Sequence, residues 1–255
     1  MTRIGHSRLP GLVFLLAMIA VSGCTQAKQE QTVKELQADD NVQLVSFVTG
    51  DGFEIKGNYY KAEGSKAVLL LHMLGKDRYD YHSLAQQLQE QGYAALAIDF
   101  RGHGSSTSRD GIETSYKTFS EEDFGSMAED AAAAKRFLAT RNKTMDAIVG
   151  ASIGANVALK YAASDADVKT VVMLSPGENY RGILMAGYAQ AFTRPVFMAA
   201  SEEDRYSADS ARKLNTLLTG KKELRMLLGR GHGTDMLGPD IDAQIAAWIK
   251  ANSKP

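Results

Sequence analysis

One serine in the sequence has the neighbours that a nucleophile needs. Residues 150–154 read Gly-Ala-Ser-Ile-Gly and lie between an apolar run and a segment of helical character. A sharp strand-to-helix turn leaves no room for side chains beside the serine and presents its hydroxyl. The N–H groups of a helix beginning at Ile153 also favour negative charge there. The pattern predicts Ser152 as a nucleophile, with a purely structural turn as the alternative, since the motif also arises by chance.

A serine nucleophile needs a general base, which is normally histidine. The chain has five histidines. His232 lies between two glycines, after the last predicted strand, and is predicted to be the base. His6 lies near the N-terminus, His82 in a predicted helix, and His72 and His103 before the serine. His6 belongs to the predicted leader, and the other three are predicted to have structural roles.

The acid that orients the histidine is expected between the serine and the histidine, on a loop after a strand. Three carboxylates follow the strand predicted at 195–200, namely Glu202, Glu203 and Asp204. Asp204 is predicted as the acid, because the loop must leave the strand before it turns back toward His232. The two glutamates are expected in solvent. Asp99 precedes the serine and is predicted to brace the loop at 101–105.

From residue 42 on, apolar runs alternate with segments of helical spacing. Strands are predicted at 42–48, 53–60, 67–72, 93–100, 145–151, 168–174, 195–200 and 223–228. Helices are predicted at 79–91, 121–141, 154–163, 207–218 and 240–251. Buried strands that alternate with helices predict an α/β fold, with a mostly parallel central sheet and helices on both faces. The first two strands, joined by Thr-Gly-Asp-Gly, predict an antiparallel hairpin at its edge, all in one domain over 42–255.

Taken together, these segments resemble the α/β-hydrolase family, and the compact size is similar to dienelactone-hydrolase-like and small carboxylesterase members. The matching pieces are Leu-Leu-His-Met-Leu-Gly at 70–75, Ala-Ile-Asp-Phe-Arg-Gly-His-Gly-Ser at 97–105, the motif at 150–154, and the Asp204 and His232 loops. The order Ser152, Asp204, His232 is the one found in this family. The dienelactone hydrolases carry a cysteine nucleophile where this chain has serine, which weakens any transfer of their substrate.

The resemblance also implies an oxyanion hole, the pair of N–H groups that bind a developing negative oxygen. In this family the residue after a His-Gly pair gives one donor, and here Met73 replaces that glycine. The implied first donor is Leu74, with Met73 as the alternative. The second is Ile153, directly after the nucleophile.

The chemistry expected from these residues is hydrolysis of a small carboxylic ester through an acyl-enzyme, which needs no metal or organic cofactor. Thioesters and amides suit the same triad, and a non-catalytic binding module on the same fold is a further alternative. The segment 177–193 has the length of a small lid. Its larger apolar residues either line an acyl pocket or pack on the core, and they are Tyr180, Ile183, Leu184, Met185, Tyr188 and Phe192.

The N-terminus is interpreted as a targeting segment. Arg3 and Arg8 precede an apolar run at 11–21, which is too short to cross a bilayer and suits a signal peptide. Val-Ser-Gly-Cys at 21–24 resembles the lipobox of bacterial lipoproteins, which implies cleavage after residue 23 and acylation of Cys24. An ordinary secretory signal and a transmembrane anchor are the alternatives. Residues 24–41 are polar and predict a tether, and Thr25 favours the outer membrane by resemblance to sorting rules of diderm bacteria.

The composition sets limits on the function. The 255 residues are 44% hydrophobic and 23% charged, as in an ordinary globular protein. With 29 basic and 30 acidic residues the formal charge is −1, which gives a nucleic-acid partner no general basic surface. The single cysteine excludes an intramolecular disulfide and a multi-thiolate metal site.

Overall fold

The computed structural model describes residues 39–253 of the chain. The predicted signal peptide at 1–23, the predicted lipidation site Cys24 and nearly all of the predicted tether lie outside these residues. From Asn41 onward the described residues form one compact unit. None of the helices within 39–253 has both the length and the apolar character needed to cross a membrane.

The centre of the fold is a ten-stranded sheet. Its strands are β1 Val42–Val48, β2 Phe53–Tyr60, β3 Lys66–Leu71, β4 Ala94–Ile98, β5 Ser108–Arg109, β6 Ile112–Glu113, β7 Thr144–Ala151, β8 Thr170–Leu174, β11 Val196–Ser201 and β12 Lys222–Leu227. The order across the sheet is β12-β11-β8-β7-β3-β4-β2-β5-β6, and β1 pairs with β2. A separate two-stranded sheet consists of β9 Asn179–Tyr180 and β10 Ile183–Leu184.

Six neighbouring strands, from β12 to β4, run parallel. β2 pairs antiparallel with both β1 and β4, so the predicted opening hairpin is confirmed. Every residue of β4, β8 and β11 is buried, which requires that both faces of the sheet are covered.

Helices supply that cover. They are α1 His82–Glu90, α2 Glu121–Gly125, α3 Ala128–Thr140, α4 Ile153–Ser164, α5 Ala186–Ala191, α6 Arg205–Leu217 and α7 Pro239–Asn252. α1 packs on α7, while α3 and α5 pack on α4 and α6 packs on α5, which gives two separate groups of helices. Short 3-10 turns at Arg78–Tyr81, Tyr116–Thr118 and Gly233–Met236 complete the connections. The predicted α/β fold is confirmed.

The single helix predicted at 121–141 is wrong. The structure has two helices there, Glu121–Gly125 and Ala128–Thr140, separated by a tighter turn. In that turn the N–H of Met127 bonds to the carbonyl of Phe124, three residues back. Glycine at 125 has low helix propensity, and the tighter turn allows both Phe124 and Met127 to be buried.

The chain order of the strands reverses next to β3. The helix α1 carries the chain from β3 to β4 on one side, and the next long strand, β7, pairs on the other side of β3. In open α/β sheets, ligands bind in the crevice outside the carboxyl ends of the strands at such a reversal. The residues that follow β3 and β7 therefore flank the expected site.

Candidate active site

Ser152 occupies a strained turn between β7 and α4. Its backbone has φ 54° and ψ −119°, a region that non-glycine residues rarely enter, and its N–H donates to the carbonyl of Leu174 at 2.7 Å. A Cβ at Gly150 would overlap the carbonyl of Gly154, and a Cβ at Gly154 would overlap the carbonyl of Leu71. Both glycines are therefore needed for close packing of the turn.

The structure brings Ser152, His232 and Asp204 into one chain of hydrogen bonds. The Oγ atom of Ser152 lies 2.7 Å from Nε2 of His232, and Nδ1 of the same ring lies 2.6 Å from Oδ2 of Asp204. These residues follow the carboxyl ends of β7, β12 and β11, at the same edge of the sheet. Because Asp204 is an acceptor, Nδ1 carries the proton and Nε2 is free to accept from the serine hydroxyl.

The other two carboxylates of the same loop point elsewhere. Glu202 forms an ion pair with Arg212, and Glu203 pairs with Arg230 at 2.8 Å, both on the exposed surface. The side chain of Asp204 is only 17% exposed. Of the three carboxylates, only Asp204 is placed to accept from the histidine.

The loop after β3 orients one peptide group beside the serine. His72 accepts the N–H of Phe100 at Nε2, at 2.9 Å, so its proton is on Nδ1, which donates to the carbonyl of Met73 at 2.8 Å. The N–H of Lys76 also donates to that carbonyl, at 3.2 Å. Because the peptide bond is trans, the N–H of Leu74 points away from these groups.

The side chains of His72 and His103 are buried and take no part in the hydrogen-bond chain of Ser152. Their rings contact each other with centroids 5.1 Å apart, and His103 stacks on Tyr116 at 3.9 Å. Burial lowers the pKa of His72 to about 4, and burial together with the neighbouring His72 lowers the pKa of His103 to about 4. Both histidines are therefore neutral structural groups at neutral pH.

The two buried histidines should make the fold sensitive to mild acid. Between pH 6.5 and 4 the unfolded chain binds protons at these rings that the folded chain does not, so the free energy of unfolding falls as the pH falls. When the pH is lowered from 7 to 5, we expect the free energy of unfolding to fall by about 2 kcal/mol less in His103→Asn than in the unsubstituted protein. Urea unfolding of both proteins at the two pH values measures this difference, and equal losses would contradict it.

Asp99 braces the loop at 101–105, as predicted. Its carboxylate accepts the N–H groups of Arg78 at 2.9 Å and Ser105 at 2.7 Å, and it forms a buried ion pair with the Arg78 side chain. Asp99 therefore takes part in the framework below the site rather than in the hydrogen-bond chain of Ser152.

A small cavity of about 290 Å³ opens at the serine. It is lined by residues from the loop after β3, the serine turn, the histidine loop and the β9–β10 hairpin: Met73, Leu74, Ser152, Ile153, Tyr180, Arg181 and His232. The predicted oxyanion donors Leu74 and Ile153 thus border the same cavity as the nucleophile. A more open groove of about 500 Å³ between Phe53 and Phe119 contains none of the predicted site residues.

The lid segment mainly packs on the core. Ile183, Met185 and Phe192 are buried, whereas Leu184 is 65% exposed. Of the six apolar residues predicted as candidate lining, only Tyr180 borders the cavity.

Tyr180 and Ser207 form hydrogen bonds at the site that the sequence does not predict. The Tyr180 hydroxyl lies 3.0 Å from Oγ of Ser207, and Oγ of Ser207 lies 3.4 Å from Nδ1 of His232. The ring of Tyr180 meets the ring of His232 edge to face at 6.3 Å. Burial raises the pKa of Tyr180, although hydrogen bonding to Ser207 and Ser152 opposes the shift. The hairpin is thus linked through Ser207 to the hydrogen-bond chain.

A mostly parallel sheet that places a strained serine and a histidine at its carboxyl edge defines a hydrolase of the α/β type. The chain belongs to the hydrolase family described as serine aminopeptidase, S33, whose pattern matches residues 62–200. The matched part includes Ser152, while Asp204 and His232 follow it. A comparison with curated protein sequences gives no significant match.

Solved structures share the fold over most of the chain. An esterase from Pyrococcus furiosus has 18% identity and a TM-score of 0.68, covering 87% of this chain and 94% of its own. A cold-adapted esterase from an Arctic intertidal metagenomic library has 24% identity and a TM-score of 0.67, with 85% and 96% covered. A dienelactone hydrolase from Anabaena variabilis has 20% identity and a TM-score of 0.62, with 83% and 99% covered.

Proposed function

We propose that this hydrolase cleaves small carboxylic esters, with Ser152 as nucleophile, His232 as general base and Asp204 as the acid that orients the base. The observation that carries the proposal is the chain of hydrogen bonds at 2.7 and 2.6 Å across these three side chains. The names of the solved neighbours, two of which are esterases, support the same reaction class.

The proposed reaction begins when Oγ of Ser152 attacks the ester carbonyl and its proton passes to Nε2 of His232. Asp204 accepts from Nδ1 throughout, which holds the ring and stabilises the imidazolium that forms. The imidazolium then gives its proton to the leaving alcohol oxygen as the C–O bond breaks. Water attacks the acyl-enzyme by the same route and releases the acid and the free serine.

The negative oxygen of the tetrahedral intermediate is proposed to bind the N–H groups of Leu74 and Ile153. The fixed orientation of the Met73–Leu74 peptide favours Leu74 over Met73, because the carbonyl of Met73 is already held by His72 and Lys76. Each such donor contributes about 3–4 kcal/mol to stabilisation of the transition state in known acyl-transfer enzymes.

The lining of the cavity favours an ester over the free N-terminus of a peptide. An aminopeptidase must pair the positive α-amino group of its substrate with a negative group or with fixed acceptors. Among the described residues that border the cavity there is no aspartate or glutamate, and Arg181 is positive. Thioesters share the acyl chemistry and belong in the substrate panel, whereas a non-catalytic module would have no need of the aligned serine and histidine.

We expect Asp204→Asn to lower kcat on a short-chain aryl ester by about 10⁴, because the amide favours the wrong tautomer of the base. Glu202→Gln and Glu203→Gln are the matched controls, since they change neighbouring carboxylates that pair with surface arginines. Kinetics of the three purified variants measure the difference. A severe loss in either glutamine variant, with a mild loss in Asp204→Asn, would show that the replaced glutamate, not Asp204, is the orienting acid.

We also propose that the mature chain is anchored to a membrane of the bacterial envelope, favouring the outer membrane, by lipid on Cys24. The support is Val-Ser-Gly-Cys at 21–24 after the apolar run. Cys24→Ser should release the protein to the soluble fraction or leave an uncleaved precursor, because the acylated residue is lost. Fractionation and intact mass of detergent-extracted protein measure this, and an unmodified Cys24 in the unsubstituted protein would reject the anchor.

A further inference from the structure

The turn of the β9–β10 hairpin contains an arginine in an unfavourable position. Tyr180 pairs with Ile183, so Arg181 and Gly182 form a two-residue loop, with φ values of 51° and 84°. Two positive φ values define the type I′ turn, which strongly favours asparagine, aspartate or glycine at its first position. Arginine there is strained, and local rules are most often broken at functional sites.

Arg181 borders the cavity of the nucleophile. Arg181 lines the same 290 Å³ space as Ser152 and His232. Its guanidinium carbon lies 5.4 Å from the centre of the Phe124 ring, a contact that supports the head group from one side.

The guanidinium has no anionic partner within residues 39–253. Neither an ion pair nor a hydrogen bond to its N–H groups occurs there, whereas Arg212 and Arg230 each pair with a carboxylate. Glu121 approaches the backbone of the turn, where a Cβ on Gly182 would lie 3.0 Å from its Oε2 atom, but it forms no ion pair with Arg181 among the described residues. The five N–H donors of this cavity residue are therefore without a protein acceptor among the described residues.

We propose that Arg181 binds a carboxylate of the substrate, so that the enzyme prefers short esters that carry one negative charge; this rests on the proposed ester hydrolysis. The planar fork of a guanidinium matches the two oxygens of a carboxylate. One unpaired cation matches a monoanion, whereas a phosphate dianion would keep an uncompensated charge. The small cavity restricts the distance between the carboxylate and the scissile bond to a few carbon atoms.

Two pairs of isosteric esters test the proposal, one for each side of the scissile bond. Monoethyl succinate and ethyl levulinate differ only by a carboxylate or a methyl ketone on the acyl side. Acetoxyacetate and acetoxyacetone differ in the same way on the alcohol side. The measured quantity is the ratio of kcat/KM for the anionic and neutral member of each pair, which cancels any difference in the amount of active enzyme.

In at least one pair, the ratio of kcat/KM for the anionic over the neutral ester should be about tenfold lower in Arg181→Asn than in the unsubstituted enzyme. A tenfold change corresponds to the loss of one charge-assisted hydrogen bond that water partly screens. Asparagine suits the first position of the turn, so the variant should keep or raise the melting temperature. Arg181→Lys should give an intermediate ratio, because it keeps the charge and loses the fork. In the unsubstituted enzyme, added salt should lower the same ratio.

Arg230→Asn is the matched control, because it removes an equal charge from the exposed loop before His232, where Arg230 pairs with Glu203. Its ratios should equal those of the unsubstituted enzyme. Unchanged ratios in Arg181→Asn for both pairs would overturn carboxylate binding and leave the esterase intact. Fluorophosphonate labelling of Ser152 without turnover of any of the four esters would also overturn it, whereas absence of labelling and turnover would reject the proposed function itself.

Discussion

Replacement of Ser152 by alanine should lower ester hydrolysis by about 10⁶ and remove labelling by a fluorophosphonate probe. The hydroxyl supplies the atom that forms the acyl bond. The serine turn already has φ 54°, which alanine adopts with a similar steric cost, so the fold should remain intact. Circular dichroism and a thermal melt serve as the structural check. Activity near that of the unsubstituted protein would assign the reaction to another serine.

Replacement of His232 by alanine should cause a loss of the same order, because the proton of Ser152 then has no acceptor. His103→Asn is the informative comparison. His103 is buried and its Nδ1 atom bonds to the carbonyl of Arg101, a contact that an asparagine amide reproduces. The asparagine variant should retain activity within a few fold.

Both histidine variants are measured on one aryl ester at neutral pH, with the fraction folded determined in parallel. If folded His103→Asn loses more activity than folded His232→Ala, the assignment of His232 as the base is wrong.

The positions of Ser152, Asp204 and His232 at one edge of the sheet were predictable because each follows a predicted strand. Carboxyl ends of parallel strands meet at one edge, so the order of residues in the chain translates directly into proximity. The glycines at 150 and 154 added local information, since their missing side chains are required by contacts that the structure shows.

The β9–β10 hairpin could not be predicted in the same way. Each of its strands has two residues, too few for any alternation of apolar and polar residues to be recognised. Arg181-Gly182 also lacks the Asn-Gly signature of the turn it forms. The contact of Ser207 with Tyr180 depends on this hairpin, so its part in the site was equally hidden.

The helix break at Gly125 had a weak signal that the alanine-rich context obscured. A glycine followed by serine inside a helical pattern lowers helix propensity without excluding the helix. Tertiary packing favours the break, because it allows both Phe124 and Met127 to be buried in the core.

The hairpin that carries Tyr180 and Arg181 pairs only with itself and not with the main sheet. Residues at its tip can therefore be exchanged without altering any strand that holds the serine, the histidine or the aspartate. Substitutions in this small region, whether in evolution or in the laboratory, should therefore change the substrate preference without impairing the catalytic residues. A library restricted to the two turn positions should yield altered substrate ranges at a far higher frequency of folded clones than one directed at the loop after β3, where the carbonyl of Met73 is held by His72 and Lys76.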